Sequence, residues 1–351
     1  MIYPIIDTLA KEGTVPKADL LYLLDHIKDE ERNYLYQKAH EVRYRHYENT
    51  VFVRGLIEFS NYCKNACNYC GISIHNKELK RCRMTSDEIV QTAERGYDIG
   101  FRTFVLQGGE DPAFTDEVFV RLIEDIKLKF KDVAITLSAG ERSKESYQKF
   151  FDAGADRFLI RHEAINKDLY EKLHPQMSHK ERIQALYDLK AIGYQVGTGF
   201  MVGVPGQTHE DLVDDLLFIK GLEPHMVGIG PFIPHKETPF KGEVAGSAEL
   251  TYTLLAILRL MLPKSLLPAT TSLATLNTKN RYKAFAAGAN VVMPNLTPYD
   301  YKKNYNLYDG KKITNTESYE ALEELKAQCQ EAGFRIDMSR GDYKDWSRKN
   351  D

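Results

Sequence analysis

The chain has 351 residues, 43% of them hydrophobic and 28% charged, with 47 Lys and Arg against 50 Asp and Glu and a formal net charge of −3. This is the balance of a globular chain with a large core, and it gives no general electrostatic reason to bind nucleic acid or an anionic membrane. No apolar run approaches the length of a membrane span, and the opening MIYPIIDTLAKEG lacks the basic start and long apolar stretch of a secretory leader, so a cytoplasmic location is expected.

In chain order, residues 1–46 read as small helices forming an N-terminal extension. Short apolar runs then alternate with longer amphipathic ones. The apolar runs predict strands at 51–59, 103–106, 133–138, 157–161, 194–202, 226–230, 266–270 and 290–293. The amphipathic runs predict helices at 86–96, 117–130, 144–153, 181–191, 210–221, 248–262 and 280–287. Thr85-Ser86-Asp87-Glu88 and Thr208-His209-Glu210-Asp211 place a hydroxyl cap and first-turn acids at two of the helix starts. Eight strands, each followed by a helix-sized segment, predict an α/β fold, a (β/α)₈ barrel of the TIM type, over residues 47–310. A six- or seven-strand partial barrel stays open at this level. Residues 311–351 read as a helix, 317–332, and a polar tail. No linker divides the chain.

Five cysteines are too few for a disulfide framework, and three of them fall within eight residues, which points to metal or catalytic chemistry in a reducing compartment. Cys63, Cys67 and Cys70 have the spacing C-x₃-C-x₂-C and follow the first predicted strand, at the barrel end that carries active-site loops. Thiolates suit iron–sulfur clusters or zinc. Three clustered ligands on a cuboidal cluster leave one iron open for chemistry, whereas a closed structural zinc site needs a fourth ligand. The nearest candidates for that fourth ligand are His75 and then Cys82.

The fourth predicted strand continues as Arg157-Phe-Leu-Ile-Arg161-His-Glu163. Alternation puts Phe158 and Ile160 on one face and Arg157, Arg161 and Glu163 on the other, which in a barrel points inward. Arginines inside a barrel must be paired or bind an anion. A buried salt-bridge network with Glu163 is the plainer alternative. His162 falls on the outer face, as a packing residue.

The motif C-x₃-C-x-aromatic-C, with Tyr69 before the last cysteine, resembles the radical S-adenosylmethionine superfamily. So do Gln107-Gly108-Gly109-Glu110 after the second strand and the Gly-rich run 199–208, which includes Met201, after the fifth. The resemblance implies a 4Fe–4S cluster whose open iron is chelated by S-adenosylmethionine, and a 5′-deoxyadenosyl radical made by reductive cleavage. Over residues 45–310 the chain further resembles the HydE family of FeFe-hydrogenase maturases. Family-specific stretches include Arg161-His-Glu163, Met201-Val-Gly-Val-Pro-Gly-Gln207, Val227-Gly-Ile-Gly-Pro-Phe-Ile-Pro-His235 and Pro268-Ala-Thr-Thr271.

Carried over residue by residue, that likeness implies that the Gly108-Gly109-Glu110 backbone receives the methionine amino group. Arg182 would hold the methionine carboxylate, Glu163 the ribose hydroxyls, and Tyr69, Ser138 and Met201 would line the cofactor. Arg157, Arg161, Thr270, Thr271 and Tyr308 would line the substrate cavity. The implied substrate is a small anionic species, a cysteine-bound Fe(CO)₂CN unit whose sulfur is attacked on the way to the di-iron subcluster. The implied partners are other hydrogenase maturases, in transient contact, and an external electron donor. Some members hold a second cluster on three C-terminal cysteines. Residues 312–324 contain no cysteine, and Cys82 and Cys329 stand alone, so no accessory cluster is expected. Methylornithine synthase and biotin synthase are competing radical enzymes, and a non-catalytic iron–sulfur carrier is a competitor of another kind. Biotin synthase would need further barrel cysteines. A carrier would need the thiols but not Glu163 or Arg182.

Overall fold

A computed structural model describes residues 1–276, 280–311, 313 and 318–348. Its strands are β1 (Thr50–Val53), β2 (Gly55–Ser60), β3 (Thr103–Gly108), β4 (Ala134–Ser138), β5 (Arg157–Leu159), β6 (Gln195–Thr198), β7 (Met201–Val202), β8 (Met226–Val227), β9 (Gly230–Pro231), β10 (Val291–Val292) and β11 (Arg335–Asp337). One parallel sheet runs β2-β3-β4-β5-β6-β8. The ring closes through bridges Met226↔Leu266 and Pro268↔Val291 and through the pairing of β10 with β1. The result is the expected barrel, with helices outside and active-site loops at the carboxyl ends of the strands.

Several predicted strands are split. The run 51–59 breaks at Arg54, while 194–202 and 226–230 break where Gly199 and Gly228 meet. A Cβ on Gly199 would lie 2.0 Å from the Gly228 carbonyl oxygen, so only bare backbone permits that approach. The predicted seventh strand, 266–270, forms only the two isolated bridges. Pro268 has no amide hydrogen, and the Leu267 amide donates to the Asn290 side chain (2.8 Å), which cuts the ladder short.

Both predicted helix starts are capping boxes: Glu88 N donates to Thr85 Oγ1, and Thr85 N to Glu88 Oε2, with the same reciprocity between Thr208 and Asp211. Thr115, Ser143, Asn166, Ser178 and Ser247 cap five more barrel helices through their side chains. Each such cap is worth about 1 kcal/mol.

Helix Ala248–Met261 is buried on all sides from Thr251 onward. The reason lies in the N-terminal extension, whose longest helix, Asp29–Tyr47, covers its outer face. That helix is polar apart from the stripe Leu35, Ala39, Val42 and Tyr47, which is all that one-sided docking requires. The C-terminal tail does more than its polarity suggests. β11 adds to β1, and the residues after it run beneath the barrel, with Arg340 and Asp342 bonded to Arg157 and Asp156. No helix among the described residues is long and apolar enough to cross a membrane.

Candidate active site

The cysteine loop leaves β2 at Ser60, and neighbouring backbone fixes its shape. Lys64 N donates to the Glu110 carbonyl (3.1 Å), Asn68 N to the Leu173 carbonyl (3.0 Å) and Gly71 N to the Leu307 carbonyl (2.8 Å). Arg81 gathers the carbonyls of Asn61, Ile72, Ser73 and Asn76, folding the segment after Cys70 back onto the loop. Cys63, Cys67 and Cys70 are free and half-buried. Burial raises all three thiol pKa values, that of Cys70 to about 12, and the neighbouring sulfurs add to the rise at Cys67 and Cys70. Backbone amides at Asn65 and Ile72 act in the opposite direction, offering hydrogen bonds to the sulfurs of Cys63 and Cys70. Among the described residues no three His, Cys, Asp or Glu side chains converge as they would on one metal ion.

Gly109 sits directly against this loop. A Cβ there would fall 2.2 Å from the Tyr62 carbonyl oxygen and 2.7 Å from Cys63 Cβ. Arg83 forks onto Asp111 (2.6 and 2.7 Å), and Ser60 Oγ donates to the same carboxylate (2.5 Å), tying β2, β3 and the following loop together. Glu110 accepts from the Glu141 amide (2.9 Å), and Lys64 lies 3.3 Å from its other oxygen. Tyr69 reaches His174 Nε2 (3.0 Å). His174 Nδ1 faces the Tyr170 carbonyl (3.2 Å), so Nδ1 carries the proton and Tyr69 donates to Nε2. Burial holds His174 neutral, with its pKa lowered to about 3.

Glu163 is buried, has φ +63°, and its Oε2 has no hydrogen-bond partner among the described residues. Burial raises its pKa, against the pull of Arg161 and Arg182. Arg182 donates through Nε to Glu141 and through Nη1 to the Arg161 carbonyl (2.7 Å). Burial opposes its charge most strongly, but Glu141, Tyr170 and Tyr69 together outweigh it and keep Arg182 above the usual arginine range. An unanswered buried carboxylate oxygen, a fixed guanidinium and three free thiols on adjoining loops fit a cluster with a charged, hydroxyl-bearing ligand.

Residues 57–219 match the Radical SAM superfamily. The chain is 47% identical over 277 residues to the FeFe hydrogenase maturase subunit HydE of Thermotoga maritima, covering 79% of each chain. The chain belongs to the radical S-adenosylmethionine superfamily. It is a radical S-adenosylmethionine enzyme that uses a 4Fe–4S cluster and S-adenosylmethionine. It is also 33% identical over 286 residues to 3-methylornithine synthase of Methanosarcina acetivorans, covering 81% of this chain and 80% of that one. The solved structure of methylornithine synthase superposes with a TM-score of 0.84 at 27% identity, covering 95% of this chain and 97% of that one. The maturase HydG superposes at 0.82 over 98% of this chain and 77% of its own, and at 20% identity it shares the fold.

In this radical enzyme Ser138 closes β4 half-buried, and Met201 opens β7 in a cluster that includes Tyr69. Arg161, half-buried, makes no side-chain hydrogen bond or ion pair with another described residue, and its charge acts on Glu163 and Tyr308. Thr270 Oγ1 lies 3.2 Å from Ser272 Oγ, and Thr271 is exposed at the start of helix Thr271–Leu276.

Arg157 is not beside these residues. It opens β5 at the amino end, four residues before Arg161, or about 13 Å at strand rise. Its guanidinium donates to Asp342 Oδ1 (2.6 Å), the Arg340 carbonyl (2.7 Å) and Thr103 Oγ1 (3.1 Å). The strand alternation that grouped Arg157 with Glu163 ends at Leu159.

Sequence reasoning missed Arg54 and Glu58, although two charges four apart in the apolar run 51–59 were a visible signal. Arg54 is fully buried, and among the described residues its side chain donates to Met226 Sδ alone (2.9 Å), leaving Nε and Nη2 without partners. Glu58 is also buried and is held by Lys311 Nζ (2.5 Å) and Asn295 Nδ2 (2.8 Å). Glu141, His174 and Asp342 carried no local signal. Cys329 is buried in helix Ser318–Glu331, and Cys82 is half-buried below Tyr301. Part of the stretch 312–324 lies outside the described residues.

Proposed function

We propose that this enzyme acts in assembly of the FeFe-hydrogenase di-iron subcluster, on a small anionic, sulfur-containing substrate, a cysteine-bound Fe(CO)₂CN unit. Bound together, the cluster and S-adenosylmethionine supply a 5′-deoxyadenosyl radical to the barrel lumen. Cys63, Cys67 and Cys70 are the residues for the cluster. Tyr69, the Gly108-Gly109-Glu110 backbone, Ser138, Glu163, Arg182 and Met201 are those for S-adenosylmethionine.

The observation that carries the substrate class is the unanswered cationic lining. Arg161 has no hydrogen-bond or ion-pair partner among the described residues, its charge acts on Glu163 and Tyr308, and Thr270 and Thr271 end the seventh barrel segment. At the floor, Arg54 Nε and Nη2, Arg157 Nε and Thr136 Oγ1 are buried without partners among the described residues, around a cavity with room for no more than about one water, so the substrate belongs at the mouth beside Arg161. The unpaired Arg161 guanidinium suits a carboxylate or a cyanide-like ligand. The identity to HydE, 47% against 33% for methylornithine synthase, favours the same reading. An external donor supplies the electron, and transient contact with other maturases supplies the substrate.

Arg161→Leu should abolish hydrogenase maturation yet leave slow, unproductive S-adenosylmethionine cleavage. Wild-type maturation by that variant would end the substrate assignment. A second reading, rearrangement of a lysine skeleton, is favoured by the methylornithine synthase superposition. It needs a carboxylate for the substrate ammonium, and the buried candidate, Glu58, is already held by Lys311.

A further inference from the structure

We infer that Asp215, on helix His209–Leu222 behind the pocket wall, is a positioning residue for Glu163: its carboxylate bonds one flank of the tight turn that aims Glu163 at S-adenosylmethionine and packs against the other. This rests on the reading of Glu163 as the ribose contact.

After β5 the chain stays tied to its neighbour strand, with Ile160 N donating to the Gly197 carbonyl (3.0 Å) and Glu163 N to the Gly199 carbonyl (3.1 Å). Between these ties the backbone folds over on itself. Ala164 N donates to the His162 carbonyl (2.8 Å), closing a three-residue turn centred on Glu163 at φ +63°. A γ-turn with positive φ at a residue bearing a Cβ is strained, and it persists where the surroundings over-determine it.

The over-determination comes from one carboxylate oxygen. Asp215 Oδ1 accepts from Ile165 N at 2.7 Å and lies 3.3 Å from His162 Nε2. It therefore bonds the second residue after Glu163 and lies against the imidazole of the residue before it, whose Nε2 makes no hydrogen bond among the described residues. The far side of the His162 ring is fixed as well. Nδ1 lies 3.0 Å from Thr198 Oγ1, which also accepts from His162 N (3.3 Å), and the ring packs against Phe200 and Phe218. His162, Thr198 and Asp215 are wholly buried. One helical turn earlier, Asp211 Oδ1 accepts from Asn166 Nδ2 (2.6 Å), so the same helix face holds the next residues of the segment too. Asp215 Oδ2 has no partner. A buried carboxylate left half-satisfied is costly, and the geometry it enforces lies one residue from the carboxylate that faces the cofactor.

The test is S-adenosylmethionine affinity of anaerobically reconstituted enzyme, with iron content measured alongside. Glu163→Gln should weaken binding about ten- to a hundred-fold. Asp215→Ala should weaken it about ten-fold at unchanged iron content. Asp215→Asn should recover most of that, because its amide oxygen can take the place of Oδ1, accepting from Ile165 N and lying against His162 Nε2. The double variant Asp215→Ala/Glu163→Gln should bind no more weakly than Glu163→Gln alone, since the clamp acts only through Glu163. If Asp215→Ala does not fold, His162→Phe keeps the aromatic packing, breaks the grip, and should show the same Glu163-dependent loss. Wild-type affinity in Asp215→Ala, or a loss that simply adds to that of Glu163→Gln, overturns the inference while the ribose reading stands. Wild-type affinity in Glu163→Gln overturns both.

Discussion

Arg157 Nη2 lies 2.6 Å from Asp342 Oδ1, so the floor of the barrel is latched by an ion pair between β5 and the C-terminal tail. Gln195 and Arg340 hold the same carboxylate (2.6 and 2.8 Å). Burial alone would raise the Asp342 pKa. Arg157 and Arg340 outweigh it and lower the carboxyl to about 2.

Removing Asp342 should therefore leave a buried guanidinium uncompensated. Asp342→Ala is expected to lose about 3 kcal/mol, the lower end for breaking a buried pair, because the carboxylate is partly exposed. The depressed pKa contributes about 2 kcal/mol that is present above the unfolded value near 4 and lost as pH falls through the folded value. Urea unfolding of both proteins at pH 7, 4 and 2.5 should show their difference shrinking with acid. A difference independent of pH would show that Asp342 does not latch the floor as an anion.

Iron content tests the cluster ligands. The reconstituted enzyme should bind about four irons per chain, as one cuboidal cluster requires. Cys67→Ser should lose most of them, while Cys82→Ala and Cys329→Ala retain them. Full iron and activity in Cys67→Ser would refute the assignment, and about eight irons in the wild type would restore an accessory site.

Arg182 and Glu163 should each matter for S-adenosylmethionine affinity. Loss of one charge-assisted contact costs about 1.5–3 kcal/mol, or roughly ten- to a hundred-fold in binding. Arg182→Met should show the larger loss, because it also deprives Glu141 of its cation. Unchanged affinity in both Arg182→Met and Glu163→Gln would mean that these residues face something other than the cofactor.

What was legible in the sequence was local. The capping boxes at Thr85 and Thr208 need four consecutive residues, and both are present in the structure. Most barrel strands announced themselves as apolar runs between turn signals. The misses are long-range. β11 is a short polar strand whose partner, β1, lies at the other end of the chain, and neither composition nor periodicity connects them. Arg157 looked free because Asp342 is 185 positions away. Alternation placed Glu163 inward for an incomplete reason, since β5 stops at Leu159 and a γ-turn sets its direction. The placement of His162 on the outer face matches its seat between Phe200 and Phe218.

Gly109→Ala should damage the cluster loop without touching a ligand. The added methyl would meet the Tyr62 carbonyl and Cys63 Cβ at well under contact distance, and both are backbone-anchored atoms that cannot rotate away. The loop must shift, so iron retention should fall even though all three thiols remain. Gly221→Ala, whose added methyl meets nothing within 4 Å, serves as the comparison. Equal iron retention in Gly109→Ala and wild type would show that the close approach is not needed.

Arg54 offers the sharpest separation of stability from function. It is buried at the barrel floor, and among the described residues its side chain has two unpartnered donors and a thioether as its sole acceptor. Burial depresses its pKa strongly, and Arg157 adds to the effect. A buried charge without an anion is a net cost to the fold, and replacing such groups with apolar side chains of similar length commonly stabilises by about 1–4 kcal/mol. Arg54→Met should thus raise the unfolding midpoint of the protein in buffer without small anions. If the floor binds an anionic ligand, the same variant should lose the stabilisation that millimolar formate or cyanide confers on the wild type. A destabilised Arg54→Met would mean that Arg54 is satisfied by contacts of its own. A stabilised variant that still responds to the anions would place their site away from the floor, leaving Arg161 and the barrel mouth to hold the substrate.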